Sequence, residues 1–214
     1  MTIGIIDYGS GNLHSVLKAF QLQAAGRGQT AALITTPEEL AACSHIVLPG
    51  VGAFGDCVAG LKALSGMWEA LNDAVLEQKK PFFGICVGMQ MMLDRGLEHG
   101  EYAGLGWIAG DVVPLKPNSP KPLPIPHMGW NELILVREHP VLRDMQSGEH
   151  VYFVHSFHAQ CTNANDILAT TDYGGAVTAC IGKNNMLGTQ FHPEKSGAAG
   201  LRLIEQFIAW DGQA

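Results

Sequence analysis

The 214-residue sequence has little charge and no long apolar run. Charged residues make up only 15% of the chain, whereas hydrophobic residues make up 47%. A chain of this composition can bury a core, and it lacks the high charge that keeps disordered proteins unfolded. No window approaches 18 consecutive apolar residues, and the N-terminus MTIGIIDYGSGN has no basic segment. We therefore expect neither a membrane span nor a secretion signal.

Basic residues are scarce as well. The 13 Lys and Arg are scattered along the chain, and the formal net charge is −7. Nucleic-acid grooves and basic membrane-binding patches need clustered positive charge. We therefore expect no nucleic acid and no membrane among the partners.

The five cysteines include no C-x-x-C pair. They stand at the irregular positions 43, 57, 86, 161 and 180. An odd number with wide gaps favours free thiols over a disulfide framework or a zinc site, and hence a cytoplasmic protein. His127, His155 and His158 also lack the paired spacing and the carboxylates of a metal site. We expect no metal and no cofactor.

Apolar runs and helical patterns alternate in the first half of the chain. TIGII, AALIT, HIVLP and FFGIC are each followed by a segment of helical pattern, the last of which is GMQMMLDRG. This βαβα order predicts a parallel sheet covered by helices. After about residue 105, the runs LILV, VYFVHSF, DILATT, AVTACI and MLGTQF predict an antiparallel extension of that sheet. We expect an α/β fold with a mostly parallel open sheet flanked by helices, in a single domain spanning residues 1–214.

Two other segments have a clear composition. Six of the eleven prolines fall within residues 114–126, which predicts an extended surface loop. That loop either connects two parts of the fold or lines a site. Near the C-terminus, GAAGLRLIEQFIAW places Leu201, Ile204 and Ile208 at helical spacing. It predicts a final amphipathic helix that packs on the sheet.

Cys86 stands in the pentapeptide G-x-C-x-G, between an apolar run and a helical pattern. Strand, G-x-C-x-G and helix form the cysteine version of a nucleophile elbow, in which Gly84 and Gly88 would permit the tight turn. The alternative is an inert core residue, because free cysteine is among the most buried residue types. The pentapeptide alone leaves both interpretations open.

A thiolate nucleophile needs a general base and a group that orients it. The stretch MLGTQFHPEKS supplies His192 and, two residues later, Glu194. In extended backbone both side chains would point the same way, and Pro193 would restrict the backbone between them. Taken singly, this histidine and this glutamate could equally form a solvated surface turn.

Together, the elbow cysteine and H-P-E resemble the class I glutamine amidotransferases, with Cys86, His192 and Glu194 in the family's chain order. The resemblance runs through nearly the whole chain. It implies that family's fold and a Cys-His-Glu triad that hydrolyses glutamine to glutamate and ammonia through a cysteinyl thioester. Glu194 would orient His192 and stabilise its protonated form.

This chemistry needs donors for the oxyanion and contacts for the substrate. The backbone N–H of Val87, directly after the nucleophile, is one candidate donor. The resemblance places the second in the loop PGVG, at Gly50 and Val51. The expected substrate contacts are Gly52, Gln90 and Ser156. Gln90 could instead be an ordinary polar residue of a helix.

The same loop contains a second pattern. Gly50, Gly52 and Gly55 form G-x-G-x-x-G after an apolar run, an arrangement also found in dinucleotide-binding proteins. Here it follows the third apolar run rather than the first, and the elbow cysteine needs this loop for acyl chemistry. We therefore favour the oxyanion role over a dinucleotide site.

A narrower resemblance concerns the partner. The blocks DYGSGNLHSV, LPGVGAFGD, PHMGWNEL and GTQFHPEKS resemble glutaminase subunits that deliver ammonia to a cyclase in histidine biosynthesis. This implies a heterodimer with a cyclase subunit of (βα)₈-barrel fold, faced by Asn12, the DYGSGN loop and PHMGW. Phe157 stands where tyrosine is usual and could alter the rim of the site. Two alternatives are a glutaminase that serves another synthase and an interaction subunit without activity.

Overall fold

The computed structural model describes residues 1–10 and 12–213. Its strands are β1 (Thr2–Ile6), β2 (Thr30–Ile34), β3 (His45–Gly50), β4 (Phe82–Cys86), β5 (Leu93–Gly96), β6 (Tyr102–Ala103), β7 (Ile108–Pro114), β8 (His127–Glu132), β9 (Ile134–Leu135), β10 (His150–His155), β11 (Phe157–Cys161), β12 (Ile167–Asp172), β13 (Ala176–Lys183) and β14 (Met186–Thr189). Its α-helices are α1 (Leu13–Ala25), α2 (Pro37–Ala42), α3 (Phe54–Ala63), α4 (Met67–Asn72), α5 (Val87–Gln90) and α6 (Gly197–Ala209). A π-helical turn spans Asp73–Glu77, and 3₁₀ turns span Pro140–Leu142, Ala164–Asp166 and Pro193–Lys195.

An eight-stranded sheet with the order β2-β1-β3-β4-β14-β13-β12-β9 forms the centre of the fold. Neighbouring strands from β2 to β14 are parallel, whereas β13, β12 and β9 continue the sheet in antiparallel pairing. The predicted α/β class and its antiparallel extension are confirmed. However, β14 was expected within that extension, and it pairs in parallel with β4. Since parallel strands end at the same edge of a sheet, the chain leaving β14 emerges beside Cys86.

Strand β4 is buried on both faces, as its uninterrupted apolar run predicts. The neighbours Phe82 and Phe83 point to opposite faces, because side chains alternate along a strand. The ring of Phe83 packs against Phe207 of α6 and Phe20 of α1, at centroid distances of 5.2 and 6.3 Å. Phe82 meets the edge of Trp107 at 4.8 Å. Burying each phenylalanine contributes about 1.5–3 kcal/mol, so β4 is firmly held where it ends at Cys86.

The remaining strands form two smaller sheets. One pairs β10 with β8, and the other has the order β11-β7-β5-β6. The run VYFVHSF was predicted to extend the main sheet, but it is divided between these two sheets, with Ser156 at the bend between them. GMQMMLDRG was predicted to be helical, yet its helix ends at Gln90, and Leu93–Gly96 form β5. Pairing of β5 with β6 and β7 overrides the helical pattern there.

Two further predictions concern the proline-rich segment and the C-terminal helix. The surface loop predicted over residues 114–126 begins slightly later, because Pro114 ends β7 and Leu115 is buried. Residues 116–126 contain no helix or strand and are largely exposed. Helix α6 buries Leu203, Ile204 and Ile208 on one face, with Leu201 partly exposed. None of the helices in the described part of the chain combines the length and the apolar character needed to cross a bilayer.

Candidate active site

Cys86 occupies a strained position at the junction of β4 and α5. Its backbone has φ 55° and ψ −111°, a left-handed conformation that a residue with a side chain rarely adopts. Such strain costs about 1–3 kcal/mol and persists where the surroundings dictate it. Cys86 is only 4% exposed, and β4 is paired on both sides. The geometry is that of a nucleophile elbow.

Gly84 and Gly88 were expected to permit the tight turn at Cys86, but the structure gives them a different role. Neither Gly84 nor Gly88 has a positive φ, so the turn itself does not require them. A Cβ on Gly88 would lie 1.8 Å from the carbonyl oxygen of Leu48, and one on Gly84 would lie 2.7 Å from that of Gly88. Both residues are glycine because β3, β4 and α5 approach too closely for a side chain.

His192 and Glu194 form a buried pair. Nδ1 of His192 lies 2.8 Å from Oε1 of Glu194, and their side chains are 3% and 1% exposed. The extended backbone expected between them is absent, because β14 ends at Thr189 and a 3₁₀ turn begins at Pro193. The turn, not strand alternation, brings the carboxylate back to the ring.

The backbone of His192 is held on both sides. Its N–H donates to the carbonyl oxygen of Tyr152 at 2.9 Å, and its own carbonyl oxygen accepts from the hydroxyl of Ser196 at 2.7 Å. Burial by itself lowers the pKa of the imidazole, but the nearby Cys86 sulfur and the hydrogen-bonded Glu194 carboxylate outweigh burial and raise the pKa to about 10. Nε2 is buried without an aligned hydrogen bond to a described residue. The site therefore favours a protonated imidazole beside the sulfur.

A cavity of about 280 Å³ opens onto Cys86 and His192. This is near the lower end of ligand pockets, roughly 300–1,000 Å³, and suits a molecule the size of an amino acid. The predicted site residues that line it are Val51, Gly52, Cys86, Val87, Gln90, Ser156 and His192. Gly50 and Glu194 do not line it. A larger cavity of about 700 Å³ at residues 135–145 contains none of the predicted site residues.

The PGVG loop is held by hydrogen bonds to the N-terminal segment. The hydroxyl of Tyr8 donates to the carbonyl oxygen of Pro49 at 2.7 Å, and that of Ser10 donates to the carbonyl oxygen of Val51 at 2.6 Å. Gly52 has φ 98°, which explains the glycine there. The N–H of Val87 is at the first position of α5, where a helix offers no internal acceptor. Both predicted donor segments therefore border the cavity.

The side chain of Gln90 is hydrogen-bonded to the backbone of Phe157. The amide Nε2 of Gln90 donates to the carbonyl oxygen of Phe157 at 3.1 Å and to Oε1 of Gln190 at 3.0 Å. Gln90 thus lines the cavity while its amino group is used inside the protein. The polar contact of Phe157 comes from its carbonyl group, which tyrosine would supply equally.

Three features of the site escaped the sequence analysis. Glu98 lines the cavity, with Oε2 accepting from the N–H of Phe54 at 2.8 Å. Gln190 contacts Cys86, with its Nε2 3.6 Å from Sγ. Pro126, the last residue of the proline-rich loop, also lines the cavity, which favours the site-lining interpretation of that loop. The only sequence signal for Gln190 was its position two residues before His192.

His127 and His155 contact each other rather than a common ligand set. Nδ1 of His127 lies 3.0 Å from Nε2 of His155, and Nδ1 of His155 lies 2.8 Å from the carbonyl oxygen of Phe157. Burial lowers the pKa of His127 to about 4 and that of His155 to about 3. Both rings are therefore neutral near pH 7.

A strained cysteine elbow, a buried His-Glu pair and a small cavity on a mostly parallel sheet form an arrangement typical of enzymes that transfer acyl groups through a cysteine. The family model "Glutamine amidotransferase class-I" matches residues 5–210. The chain belongs to the class I glutamine amidotransferase family.

Within this family, the chain is most usefully compared with two curated relatives that carry the same name. The chain is 52% identical to "Imidazole glycerol phosphate synthase subunit HisH" of Rhodopseudomonas palustris, covering 98% of this chain and 99% of that protein. It is 51% identical to the protein of the same name from Cereibacter sphaeroides, covering 96% and 97%. A solved structure described as a glutamine amidotransferase superimposes with a TM-score of 0.72 at 18% identity, covering 97% of each chain, and it supports the fold.

Proposed function

We propose that the chain is the glutaminase subunit of imidazole glycerol phosphate synthase and acts as a single glutamine amidotransferase domain. It hydrolyses glutamine and passes the ammonia to a cyclase subunit of (βα)₈-barrel fold. The cyclase makes imidazole glycerol phosphate and an aminoimidazole carboxamide nucleotide in histidine biosynthesis, which takes place in the cytoplasm. The observation that carries the proposal is the convergence of Cys86 and the His192–Glu194 pair at one small cavity.

In the proposed reaction, the Cys86 thiolate attacks the side-chain carbonyl carbon of glutamine. The negative charge moves to the carbonyl oxygen, where the N–H of Val87 and an N–H of the PGVG loop at Gly50 or Val51 stabilise it. When this intermediate collapses, the C–N bond breaks and protonated His192 gives its proton to the leaving nitrogen. The products are ammonia, a glutamyl thioester and a neutral imidazole.

Water completes the cycle. Neutral His192 takes a proton from a water molecule, and the resulting hydroxide attacks the thioester. Collapse of the second intermediate breaks the C–S bond, releases glutamate and restores the thiolate beside protonated His192. Glu194 stabilises the imidazolium in both halves of the reaction, and its burial keeps water from competing for Nδ1.

The cavity contains groups suited to the amino-acid end of glutamine. Glu98 is the carboxylate among the lining residues, and it would accept hydrogen bonds from the α-ammonium group. Ser156 lies at the bend between β10 and β11 and supplies a hydroxyl near that end, while Gly52 allows close approach of the substrate. Gln90 would contact the carboxamide. These assignments predict selectivity for a free amino acid over a peptide.

The partner would dock beside the cavity. Ile125, Met128 and Trp130 are 52%, 65% and 55% exposed, an unusual group of large apolar side chains next to Pro126 at the cavity rim. Asn12 at the start of α1 is exposed too. Gly11 of the DYGSGN loop lies outside the described residues. An apolar surface of this kind is suited to a protein partner that receives ammonia before water protonates it.

We further infer that the isolated chain is poorly active, because a peptide of the PGVG loop must turn to complete the oxyanion hole. The hydroxyls of Tyr8 and Ser10 hold this loop in the present structure. Losing one oxyanion donor typically costs about 2.7–4 kcal/mol, or roughly 100- to 1,000-fold in rate. Full turnover by the chain alone would contradict this inference.

The deciding experiment measures glutamate release by the chain alone and mixed with a barrel cyclase and its nucleotide ligand. We expect strong activation in the mixture, its loss in Cys86→Ala, and its retention in the control Cys161→Ala on β11. Equal activity of the chain alone and of the mixture would indicate an independent glutaminase or a different synthase. No activity in either, with no labelling of Cys86 by a glutamine-like electrophile, would indicate a binding subunit.

A further inference from the structure

Gln190 is completely buried directly behind the nucleophile. Its Nε2 lies 3.6 Å from Sγ of Cys86, within hydrogen-bonding distance for sulfur, and its side chain is 0% exposed. Its backbone N–H is bound to the carbonyl oxygen of Ala179 at 2.9 Å, which fixes its place beside β13. Gln190 does not line the substrate cavity. Any effect on the reaction must therefore pass through Cys86 or through Gln90, whose amino group donates to Oε1 of Gln190 at 3.0 Å.

The direction of each hydrogen bond around Gln190 follows from one backbone carbonyl group, which can only accept a hydrogen bond. The carbonyl oxygen of Phe157 can only accept, so the amino group of Gln90 must face it. The same amino group faces the side chain of Gln190 at 3.0 Å, so that side chain must present its oxygen there. The amino group of Gln190 is then directed at Cys86, and the N–H···S bond is the required arrangement.

The chain of donors continues on the far side of Phe157. The same carbonyl oxygen lies 2.8 Å from Nδ1 of His155, which must carry a proton to donate. Nε2 of the neutral His155 ring is then an acceptor, and it faces Nδ1 of His127 at 3.0 Å. This line of buried groups holds the carbonyl of Phe157, and through it the amide of Gln90, in one orientation.

We propose that Gln190 is a positioning residue that holds the Cys86 sulfur in its thiolate form, opposite His192, through a buried N–H···S hydrogen bond. This inference rests on the proposed role of Cys86 as nucleophile. A hydrogen bond to a charged acceptor is stronger than one to a neutral acceptor, so the amide favours the thiolate over the thiol. It also stabilises the sulfur when the thioester C–S bond breaks and the electron pair returns to Cys86.

The first test compares Gln190→Met, which keeps the size of the side chain but cannot donate, with Gln206→Met. Gln206 is a buried glutamine of α6 that is bound to Arg143 and Asp144. Iodoacetamide alkylation of Cys86 in the full chain, followed by mass spectrometry across pH, reports the thiolate without requiring glutaminase activity. We expect its midpoint to rise by about one pH unit or more in Gln190→Met and to stay unchanged in Gln206→Met.

Activity with the cyclase separates positioning from substrate binding. We expect kcat of Gln190→Met to fall about 10- to 100-fold, the effect of losing a hydrogen bond to a charged group. KM for glutamine should stay nearly unchanged, because Gln90 keeps its hydrogen bond to the carbonyl oxygen of Phe157. An alkylation midpoint and kcat equal to those of the unsubstituted chain would overturn the proposal. If the proposed glutaminase function is wrong, the unsubstituted complex will show no turnover. The alkylation comparison would still test the role of Gln190 in that case.

A measurement on the unsubstituted chain covers the case in which Gln190→Met does not fold. With ¹⁵N-labelled glutamine, the side-chain amide signals of Gln190 should shift at the pH midpoint of Cys86 alkylation. The signals of Gln206 should not. A Gln190 amide that does not respond to ionisation of Cys86 would contradict the N–H···S bond.

Discussion

Nδ1 of His192 lies 2.8 Å from Oε1 of Glu194, and both side chains are shielded from water. The contact joins residues only two positions apart, and a 3₁₀ turn after Pro193 makes it possible. In such a dry environment the carboxylate keeps the imidazole oriented and favours its charged form.

Replacing Glu194 by Gln should reduce kcat for glutamine about 10- to 100-fold, since a hydrogen bond to a charged group contributes about 1.5–3 kcal/mol. The amide preserves the shape of the pair but not its charge. The high pKa of His192 should fall, so activity should decline at a lower pH on the alkaline side. Steady-state kinetics across pH with the cyclase present would measure both effects. Glu205→Gln, on the exposed side of α6, is the control, and equal profiles for the two variants would contradict the prediction.

His155 should make the protein sensitive to acid. Burial lowers its pKa to about 3, whereas an unfolded histidine titrates near 6.5. Below pH 6.5 the unfolded state therefore binds the proton first, and stability is lost as pH falls from 6.5 towards 3. The loss should be on the order of 2 kcal/mol at pH 5.

Urea unfolding at pH 7 and pH 5 would measure this dependence. His155→Gln should reduce it, although His127 will still contribute. The control His150→Gln alters an exposed histidine on the same strand and should leave the dependence unchanged. A variant at position 155 with an unaltered acid dependence would show that another group is responsible.

Ser10→Ala should raise the turnover of the isolated chain. It removes the hydroxyl that holds the carbonyl oxygen of Val51 at 2.6 Å. A hydrogen bond worth about 1 kcal/mol corresponds to roughly a fivefold change in the population of the turned loop. Glutamate release without partner would measure this effect. Ser44→Ala, which removes a comparable bond to the carbonyl oxygen of Thr2, should have no effect. Unchanged or lower turnover in Ser10→Ala would exclude the restraint.

Gly88→Ala should destabilise the elbow. The new Cβ would lie 1.8 Å from the backbone carbonyl of Leu48, and no change of rotamer relieves such a contact. Overpacking of this kind typically costs about 1–3 kcal/mol and sometimes more. Gly26→Ala is the control, because a Cβ there has its nearest contact at an ordinary 3.6 Å. Urea unfolding would compare them, and equal midpoints would show that β3 and α5 can separate at little cost.

Short local patterns in the sequence predicted much of the candidate site. The elbow around Cys86, the H-P-E segment and the PGVG loop are each only a few residues long. The geometry within each of them therefore depends mainly on the neighbouring backbone. Short uninterrupted apolar runs alternating with helical patterns likewise predicted the parallel core, and spacing of period 3.6 predicted α6. The helix expected through Leu93 was wrong because pairing with β7, distant in sequence, decided that segment.

The sequence by itself determined the α/β class and the family resemblance, and it is the basis for proposing Cys86, His192 and Glu194 as the reacting groups, because these reside in short patterns and their order. Only the tertiary structure decided that β14 pairs in parallel with β4, which brings His192 to Cys86 across 106 positions. It also decided that Glu98 lines the cavity and that Gln190 donates to the sulfur. Such contacts depend on strand order and register, and a local pattern specifies which face a side chain takes but not which distant strand it will meet.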